Sequence, residues 1–302
     1  MFKYMSAEVA PLFTKALKVR FTQPFELNDP FELRPLIDFK ATAEEFRGEI
    51  DARISEIFGT VHGTLSAMEK QQAGDPNFPK MIVPIHVFRN MIARNPTLGQ
   101  AFMAEMQRHK AEVLNQITTA LVWETLWDKV HSTLGDMLGI FSLSEDSANP
   151  LLWSHYASQH YGVVVEFDEN DSWFNQRVTL SDDLRHLVQV AYLENPHPRT
   201  WKQLNGPDVL YTKNAVWAYE REWRIIRPLK DGVEVSPGKF CFDVPASTVR
   251  SMILGCRTSA GVELEIRASV AANPSLSHVS FKRAKLVAGG KIEIVAAASA
   301  GI

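Results

Sequence analysis

The middle of the chain carries a helical pattern of hydrophobic positions. Its clearest stripe recurs at every fourth residue and comprises Phe46, Ile50, Ile54 and Phe58. This spacing places apolar side chains on one face of an amphipathic helix. The proline-containing segment at 75–84 interrupts the pattern, which resumes from about residue 85. The pattern predicts a helical insert over residues 41–135.

The regions on either side of this insert contain short apolar runs typical of β-strands. The run LKVRF at 17–21 alternates apolar and basic residues, as a half-buried strand does. Further strands are predicted from GIFSLS, YGVVVEF, HLVQVAYL, EREWRIIRP, GKFCFDVP and VRSMILG. Helical pieces are predicted between them at 150–160, 208–219 and 259–272. We therefore expect an α+β fold with a mixed or antiparallel sheet core.

This core is expected to combine residues 1–40 and 136–290. The last residues, 291–302, are rich in alanine and other small side chains, and we expect them to form a frayed tail. No internal repeat is evident.

Composition narrows the class of protein only slightly. The chain has 302 residues, of which 45% are hydrophobic and 22% charged, and a formal net charge of -3. These values are typical of a soluble globular protein without a general attraction to nucleic acid or anionic membranes, although a local basic groove stays possible. The two cysteines suit a reducing compartment and have no metal-ligand spacing. Without an apolar run of about 18 residues or a signal-peptide pattern, we expect a cytoplasmic protein that does not enter the membrane.

The segment NPLLWSHYASQHYGVVVEF combines helix signals with strand signals. Asn149 is a good N-cap, and Pro150 suits the first helical position, where its missing N–H is not needed. Gly162 is a candidate for the left-handed residue that ends the helix. The segment therefore predicts a helix over 150–160 followed by a strand over 163–167.

Two interpretations fit the aromatic residues and histidines of this helix. Trp153 and Tyr156 could belong to the core with His155 hydrogen-bonded among them, or His155 or Tyr156 could contact a ligand. His155 and His160 lie five residues apart, which differs from the four-residue spacing of a helical metal-binding pair. A metal site on this helix is therefore disfavoured.

A second segment, LYTKNAVWAYEREWRIIRP, brings acidic and basic residues together. Side chains two residues apart share one face of a strand, so Glu220, Glu222 and Arg224 are expected to point the same way. Two carboxylates beside one arginine require pairing or solvation. The pattern fits either a Glu222–Arg224 salt bridge or a Glu-x-Glu site that orients a substrate hydroxyl and a nucleophile.

Ser142 and Ser144 form a Ser-x-Ser pair just before the capped helix, and both are expected to point the same way from one strand. The pair alone is a weak signal. The chain contains no Gly-x-Ser-x-Gly elbow, no P-loop and no Gly-x-Gly-x-x-Gly motif. These absences argue against an α/β-hydrolase, a P-loop NTPase and a Rossmann oxidoreductase.

Several segments, taken in order, resemble the prokaryotic family named domain of unknown function 2971. They are FKYMSAE and FTQPFELNDPFE near the start, GIFSLSEDSANPLLWSHYASQHYGVVVEF in the middle, then VAY and KNAVWAYEREWRII. Leu27 departs from the phenylalanine that usually precedes the Asn-Asp-Pro turn of the family. The resemblance covers most of residues 1–40 and 138–255 and skips the helical insert.

The order of the polar motifs is also similar to that of ADP-ribosyltransferase-like proteins. Those proteins carry Arg or His on an early strand, Ser-x-Ser or Tyr on a middle strand and Glu on a late strand. Lys3 stands here in place of the Arg or His, which is a departure. The resemblance implies NAD as substrate, with a carboxylate stabilising the oxocarbenium-like state and an aromatic side chain stacking on nicotinamide.

The residues predicted to act in this way fall into two groups. The expected catalytic residues are Glu222, Glu220 and His155. The expected NAD-binding residues are Lys3, Tyr4, Asn28, Asp29, Ser142, Ser144, Trp153, Tyr156 and Arg224. No metal is expected.

A transferase of this kind would modify a macromolecular target, either protein or nucleic acid, and the analogy implies a toxin or phage-defence role. A metal-assisted nuclease or phosphodiesterase using His155, His160, Glu166 and Asp168 is one alternative. The other is a module that senses a nucleotide or a partner without catalysis. The helical insert could then serve as a partner surface or a homo-oligomer contact.

Overall fold

A computed structural model describes residues 1–75 and 83–297. Most of the predicted break at 75–84 and the end of the predicted tail, 298–302, lie outside the described residues. The described chain forms two compact units. The first contains residues 1–36, 130–197 and 204–297, and the second contains residues 37–75, 83–129 and 198–203.

The first unit contains the strands of the protein. They are β1 (Phe2–Met5), β2 (Lys18–Phe21), β3 (Leu138–Ser144), β4 (Val163–Phe167), β5 (Val188–Gln189), β6 (Ala191–Leu193), β7 (Thr212–Asn214), β8 (Glu222–Pro228), β9 (Val233–Ser236), β10 (Lys239–Asp243), β11 (Val249–Leu254), β12 (Ser280–Val287) and β13 (Lys291–Ala296).

Helices occur in both units. Those of the first unit are α1 (Val9–Ala16), α7 (Pro150–Tyr156), α8 (Gly206–Leu210) and α9 (Ala260–Ala272), and those of the second are α2 (Phe39–Phe58), α3 (Val61–Gly74), α4 (Ile85–Arg94) and α5 (Pro96–Ile117). The helix α6 (Ala120–Met137) begins in the second unit and ends in the first. Across residues 1–75 and 83–297, no helix combines the length and apolar character needed to span a bilayer.

The main sheet has eight strands in the order β13-β12-β11-β4-β1-β3-β8-β5. Only β11 and β12 run parallel in this sheet, and the other neighbours are antiparallel. Two small sheets accompany it, one of β2, β10 and β9 and one of β6 and β7. The predicted α+β fold with a mixed sheet is therefore confirmed.

Alternating apolar residues of the main sheet supply two separate hydrophobic clusters. Val163, Val165 and Phe167 of β4 belong to one cluster, together with side chains of α1 and α9. Val164 belongs to the other, which includes Trp153 of α7. Because successive side chains of a strand point to opposite faces, a strand covered on both sides is a continuous apolar run. This explains the VVV sequence.

The pairing of β1 positions the functional site. β1 pairs with β4 over all four of its residues, but it pairs with β3 only where Phe2 faces Ser144. Farther along, the carbonyl oxygen of Ser142 accepts a hydrogen bond from the ammonium of Lys3 at 2.8 Å. The side chain of Lys3 therefore hydrogen-bonds to a β3 carbonyl at a position where the backbone of β1 does not pair with β3.

The second unit is held by aromatic contacts between distant segments. The ring of Phe46 in α2 stacks on Trp123 of α6, with centroids 4.2 Å apart. Trp201, which lies between β6 and β7 in sequence, packs edge-on against Trp123 and Trp127. The predicted insert, 41–135, does not include residues 198–203, which belong to the second unit. Helical periodicity predicts where helices lie along the chain, but it does not predict which distant segment packs against them.

The chain around Gly162 differs from its prediction. The helix ends at Tyr156 rather than near residue 160, and Ser158, Gln159 and His160 all adopt positive φ angles. Gly162 does not adopt the left-handed conformation expected of it. It is required for a different reason, since a Cβ there would clash with the carbonyl oxygen of Met5.

Other predicted elements are also corrected. Residues 208–219 are not one helix but the end of α8, the strand β7 and most of a 3₁₀ segment, Ala215–Glu220. The run at 186–193 divides into β5 and β6, which belong to different sheets. Within the predicted tail, Lys291–Ala296 forms the edge strand β13, because its alternating Ile292 and Ile294 pack against the second cluster.

Replacing Gly162 by alanine is expected to destabilise the protein by about 3 kcal/mol, because the added methyl group must displace the backbone of β1. The free energy of unfolding, measured by chemical denaturation, checks this expectation. Gly261→Ala is the matched control, since a Cβ at Gly261 meets no atom within 4 Å. Equal stabilities of the two variants would contradict the steric argument.

Candidate functional site

The first unit contains a cleft of about 260 Å³, which is lined by residues from several of the segments that carry the family resemblance. It is lined by Phe2, Lys3, Tyr4, Thr22, Glu26, Leu27, Asn28, Glu32, Ser142, Leu143, Ser144, Leu152, Tyr156, Lys213, Glu220 and Glu222. The walls combine apolar side chains with a few converging charged groups, as small-molecule sites do.

Sheet register explains why the polar residues of β3 and β8 meet. Ser144 faces Glu222 across the strand pair, and Ser142 faces Arg224. Directly opposed residues of antiparallel strands project to the same side of the sheet. The predicted shared face of Glu222 and Arg224 is therefore present, and the serines lie on it as well.

Glu222 is a buried carboxylate that lines the cleft. Its Oε1 accepts from Nε of Arg224 at 2.7 Å, and its Oε2 accepts from Nη2 of the same arginine at 3.0 Å. Burial alone would raise the pKa of Glu222, but Arg224, Lys213 and the hydroxyl of Ser142 outweigh it and lower the pKa to about 2. Glu222 is therefore ionised throughout the physiological range.

Lys213 lies at the centre of the charged groups. Its ammonium is 2.8 Å from Oε1 of Glu32, 2.7 Å from Oε2 of Glu220 and 3.4 Å from Oε2 of Glu222. Burial would lower the pKa of Lys213, but Glu222, Glu32 and Glu220 raise it above its ordinary value. This lysine remains a permanent cation.

Arg224 is the second cation and is fully buried. Besides its two bonds to Glu222, it contacts Oε2 of Glu32 through Nη2 and donates through Nη1 to the carbonyl of Leu210 at 3.2 Å. Burial would lower the pKa of Arg224, but Glu222 and Glu32 raise it further above its ordinary value. The predicted Glu222–Arg224 pair exists, but it is buried rather than exposed.

We name these five residues, Glu32, Lys213, Glu220, Glu222 and Arg224, the charged network. All five side chains are buried, and a buried charge left without a partner costs several kcal/mol. Mutual pairing is therefore a condition for folding this part of the chain, and it holds the carboxylates in fixed positions.

Glu220 is held from the opposite side by Tyr156. The phenol of Tyr156 donates to Oε1 of Glu220 at 2.6 Å and accepts from Nδ2 of Asn28 at 2.6 Å. Burial, followed by the hydrogen bond to Glu220, raises the pKa of Tyr156 above its ordinary value. Glu220 belongs to the 3₁₀ segment rather than to β8, yet its carboxylate still joins the predicted group.

Lys3 lines the cleft near this group without joining an ion pair of its own within the described chain. Its ammonium donates to Ser142 and lies 4.9 Å from the ring centroid of Phe141. Burial lowers the pKa of Lys3 to about 8, against the opposing influence of Glu222. Lys3 is thus the cleft cation whose charge changes near neutral pH.

Tyr4 and Ser144 also line the cleft, but their polar groups bond to the backbone. The phenol of Tyr4 donates to the carbonyl of Asp146 at 2.7 Å, and the hydroxyl of Ser144 donates to the carbonyl of Glu220 at 2.7 Å. Both bonds fix the chain that follows β3 against the rest of the site. These residues build the wall of the cleft.

Four predicted residues do not line the cleft. Trp153 is fully buried and donates to the carbonyl of Ser147, so it is unable to stack on a ligand as predicted. Asp29 accepts from the backbone N–H of Phe31 and so closes its own turn. Arg224 is fully buried and bonds to Glu222 without lining the cleft itself.

His155 is the fourth, and neither interpretation of it is supported. It is exposed on α7, and its Nδ1 is 3.3 Å from the hydroxyl of Tyr219. It is therefore not a core histidine, and it does not line the cleft with the predicted carboxylates. Consecutive helical residues point in directions about 100° apart, so only Tyr156 reaches Glu220.

The residues named for a metal-assisted nuclease have other partners. The imidazole of His160 stacks on Trp153 with an interplanar angle of 7°. Glu166 pairs with Lys282 at 2.6 Å and Asp168 with Arg250 at 2.8 Å. Across the described ranges, no group of three or more His, Cys, Asp or Glu side chains is arranged to hold a metal ion.

Two members of the charged network, Glu32 and Lys213, were not among the predicted site residues. Glu32 ends the Asn-Asp-Pro-Phe-Glu turn, and Lys213 lies seven residues before Glu220. The available signal was charge balance, because two carboxylates on a buried face need more than one cation. Nothing local indicates which lysine supplies it.

Comparison with known proteins gives one match. Residues 152–225 match the model of a family described as Protein of unknown function (DUF2971), which confirms the family resemblance predicted from the sequence. The matched stretch contains Tyr156, Lys213 and the Glu-x-Glu motif. No curated protein and no solved structure gives a significant match.

The low pKa of Glu222 makes stability depend on pH. Its pKa is lowered from 4.5 to about 2, so its contribution is complete above pH 4.5 and is lost as the pH falls toward 2. We expect the stability advantage of the wild type over Glu222→Gln to shrink by about 3 kcal/mol across this window. Chemical denaturation at a series of pH values measures it.

Glu293→Gln, at an exposed position of β13, is the matched control and should follow the wild type at every pH. A constant difference between wild type and Glu222→Gln from pH 5 to pH 2 would contradict the assignment of an ionised, network-bound Glu222.

Proposed function

We propose, for a chain whose residues 152–225 match a family of unknown function, that the cleft cleaves NAD⁺ and transfers ADP-ribose to a macromolecular acceptor. The observation that carries this proposal is the position of Glu222. It is an ionised carboxylate that lines the cleft, and it is held rigidly by Arg224, Lys213 and Ser142. A fixed negative charge in a partly apolar cleft favours a reaction that develops positive charge.

Cleavage of NAD⁺ develops positive charge on the ribose. The bond between ribose C1′ and the nicotinamide nitrogen breaks, and its electron pair stays with nicotinamide, which leaves as a neutral molecule. The ribose becomes an oxocarbenium-like cation, which Glu222 stabilises electrostatically. An acceptor nucleophile then forms a new bond to C1′ and releases its proton. The enzyme supplies orientation and charge, and no redox partner is needed.

The arrangement of strands also supports the proposal. β1, β3 and β8 are neighbours in the main sheet and carry Lys3, Ser142 and Glu222 respectively. All three side chains line the same cleft. Their order matches the early, middle and late motifs of ADP-ribosyltransferase-like proteins. The three residues that carry the resemblance in motif order therefore lie in one cleft of this chain.

A binding module without turnover is the second candidate, and one observation favours it. Every carboxylate oxygen of Glu32, Glu220 and Glu222 already has a donor or cation within the protein. Carboxylates bound in this way could recognise a nucleotide without changing it. The same assay separates the two candidates, because only the transferase releases nicotinamide.

Incubation of the purified chain with NAD⁺ and a cell extract as acceptor source is expected to release free nicotinamide, quantified by chromatography. Glu222→Gln should lower the rate by about 10²–10³-fold, because it removes the charge that stabilises the cation. Glu293→Gln is the control and should retain the wild-type rate. Circular dichroism establishes that both variants are folded.

The proposal is wrong if the wild type releases no nicotinamide with any acceptor source. It is also wrong if folded Glu222→Gln releases nicotinamide at the wild-type rate. Saturable binding of NAD⁺ without release would favour the binding module.

A further inference from the structure

Every carboxylate oxygen of the charged network has a donor or a cation beside it, but the charges of the network do not balance. Three carboxylates, Glu32, Glu220 and Glu222, face two cations, Lys213 and Arg224. Neutral donors supply the remaining bonds, with Tyr156 on Glu220 and the hydroxyl of Ser142 on Glu222. Neutral donors satisfy lone pairs but cancel no charge. The network therefore carries one excess negative charge, beside a cleft that Glu220 and Glu222 line.

Lys3 is the cleft residue that can cancel this excess. Its ammonium faces the charge of Glu222, yet within the described ranges no carboxylate lies at ion-pair distance from it. The bond to the carbonyl of Ser142 needs only one N–H, so a neutral amine keeps it. Burial lowers the pKa of Lys3 to about 8. The balancing charge is therefore present at neutral pH and removable at small cost.

Among the described residues that line the cleft, no other group would take the place of Lys3 as the counter-charge. On β4 its partner is the apolar Val165, and the ring of Phe141 covers the other side. The titratable groups that share the cleft with Lys3 are Tyr4, Glu26, Glu32, Tyr156, Lys213, Glu220 and Glu222. Of these, Lys213 is held as a permanent cation by three carboxylates, and Glu26 pairs with Arg20 outside the network.

We propose that the cleft selects a ligand ring that bears a positive charge, such as an N-alkylated pyridinium, and that this cation replaces the proton of Lys3 as the counter-charge of the network. The choice of ring rests on the proposed function, because the nicotinamide of NAD⁺ is such a cation. The selectivity itself rests on the charge count. A neutral ring of the same shape gains nothing from the excess carboxylate.

The consequence is a defined pH dependence of binding. A cationic ligand is repelled by protonated Lys3 and accepted beside neutral Lys3, so binding releases a proton. The association constant must then rise with pH as Lys3 loses its proton. For a group that titrates near pH 8, the rise between pH 7 and pH 9 is about tenfold when the protonated form binds negligibly.

Two small probes test the proposal without any turnover. The N-methylnicotinamidium ion is the cationic probe, and nicotinamide is the neutral one. Isothermal titration calorimetry on the full chain at pH 7 and pH 9 measures both affinities, and buffers of different ionisation enthalpy measure the proton released. We expect the cation to bind more tightly than nicotinamide, with an affinity that rises about tenfold with pH, while that of nicotinamide stays constant.

Lys3→Met supplies a result that a merely structural lysine would not produce. Removal of the competing charge should raise the affinity for the cation about tenfold at pH 7 and abolish its pH dependence. Lys291→Met, at an exposed position of β13, is the matched control and should behave like the wild type.

The wild type tests the proposal even if Lys3→Met fails to fold. Equal affinities for the two probes, no binding of the cation, or a cation affinity independent of pH would each overturn it. Nicotinamide release from NAD⁺ without preference for the cation would sink this inference and leave the transferase standing. Selective cation binding without nicotinamide release would support this inference and contradict the transferase proposal.

Discussion

The pairing of buried charges around Lys213 and Arg224 is the constraint on which the rest of the site depends. Neither cation reaches bulk solvent, so each must be matched by carboxylates from the protein itself. The carboxylates come from Glu32 in the turn after β2, from Glu220 at the end of the 3₁₀ segment and from Glu222 at the start of β8. Separate stretches of chain are thereby held together, and the cleft between them is formed before any ligand arrives.

A preformed cleft of this kind favours electrostatic recognition over induced fit. The carboxylates are fixed by donors on several sides, so they need no reorganisation when positive charge develops beside them. The same donors leave one negative charge uncancelled, and among the described residues that line the cleft, Lys3 is the cation whose pKa is lowered toward neutrality. The proposed glycosyl transfer and the proposed selection of a cationic ring therefore draw on one property, which is the excess charge of the network among the described residues.

Local patterns predicted those features that have local causes. The alternation of β8 placed Glu222 and Arg224 on one face, and the Asn149–Pro150 pair started α7 where expected. The end of α7 was predicted less well, because it is decided by the close approach of Gly162 to β1. Capping and periodicity depend on residues close together in sequence, so they do not predict where a neighbouring strand ends a helix.

The sequence by itself determined the fold class, the family resemblance and the shared face of Glu222 and Arg224, since periodicity, capping and motif order can all be read along the chain. Only the tertiary structure decided which charges meet. Glu32 and Arg224 are 192 positions apart in sequence, yet they form an ion pair. His155 and Tyr156 are adjacent in sequence, yet their side chains lie in different surroundings. Burial selects such partners, because an unpaired charge is tolerated at the surface but not inside, and burial is a property of the whole fold.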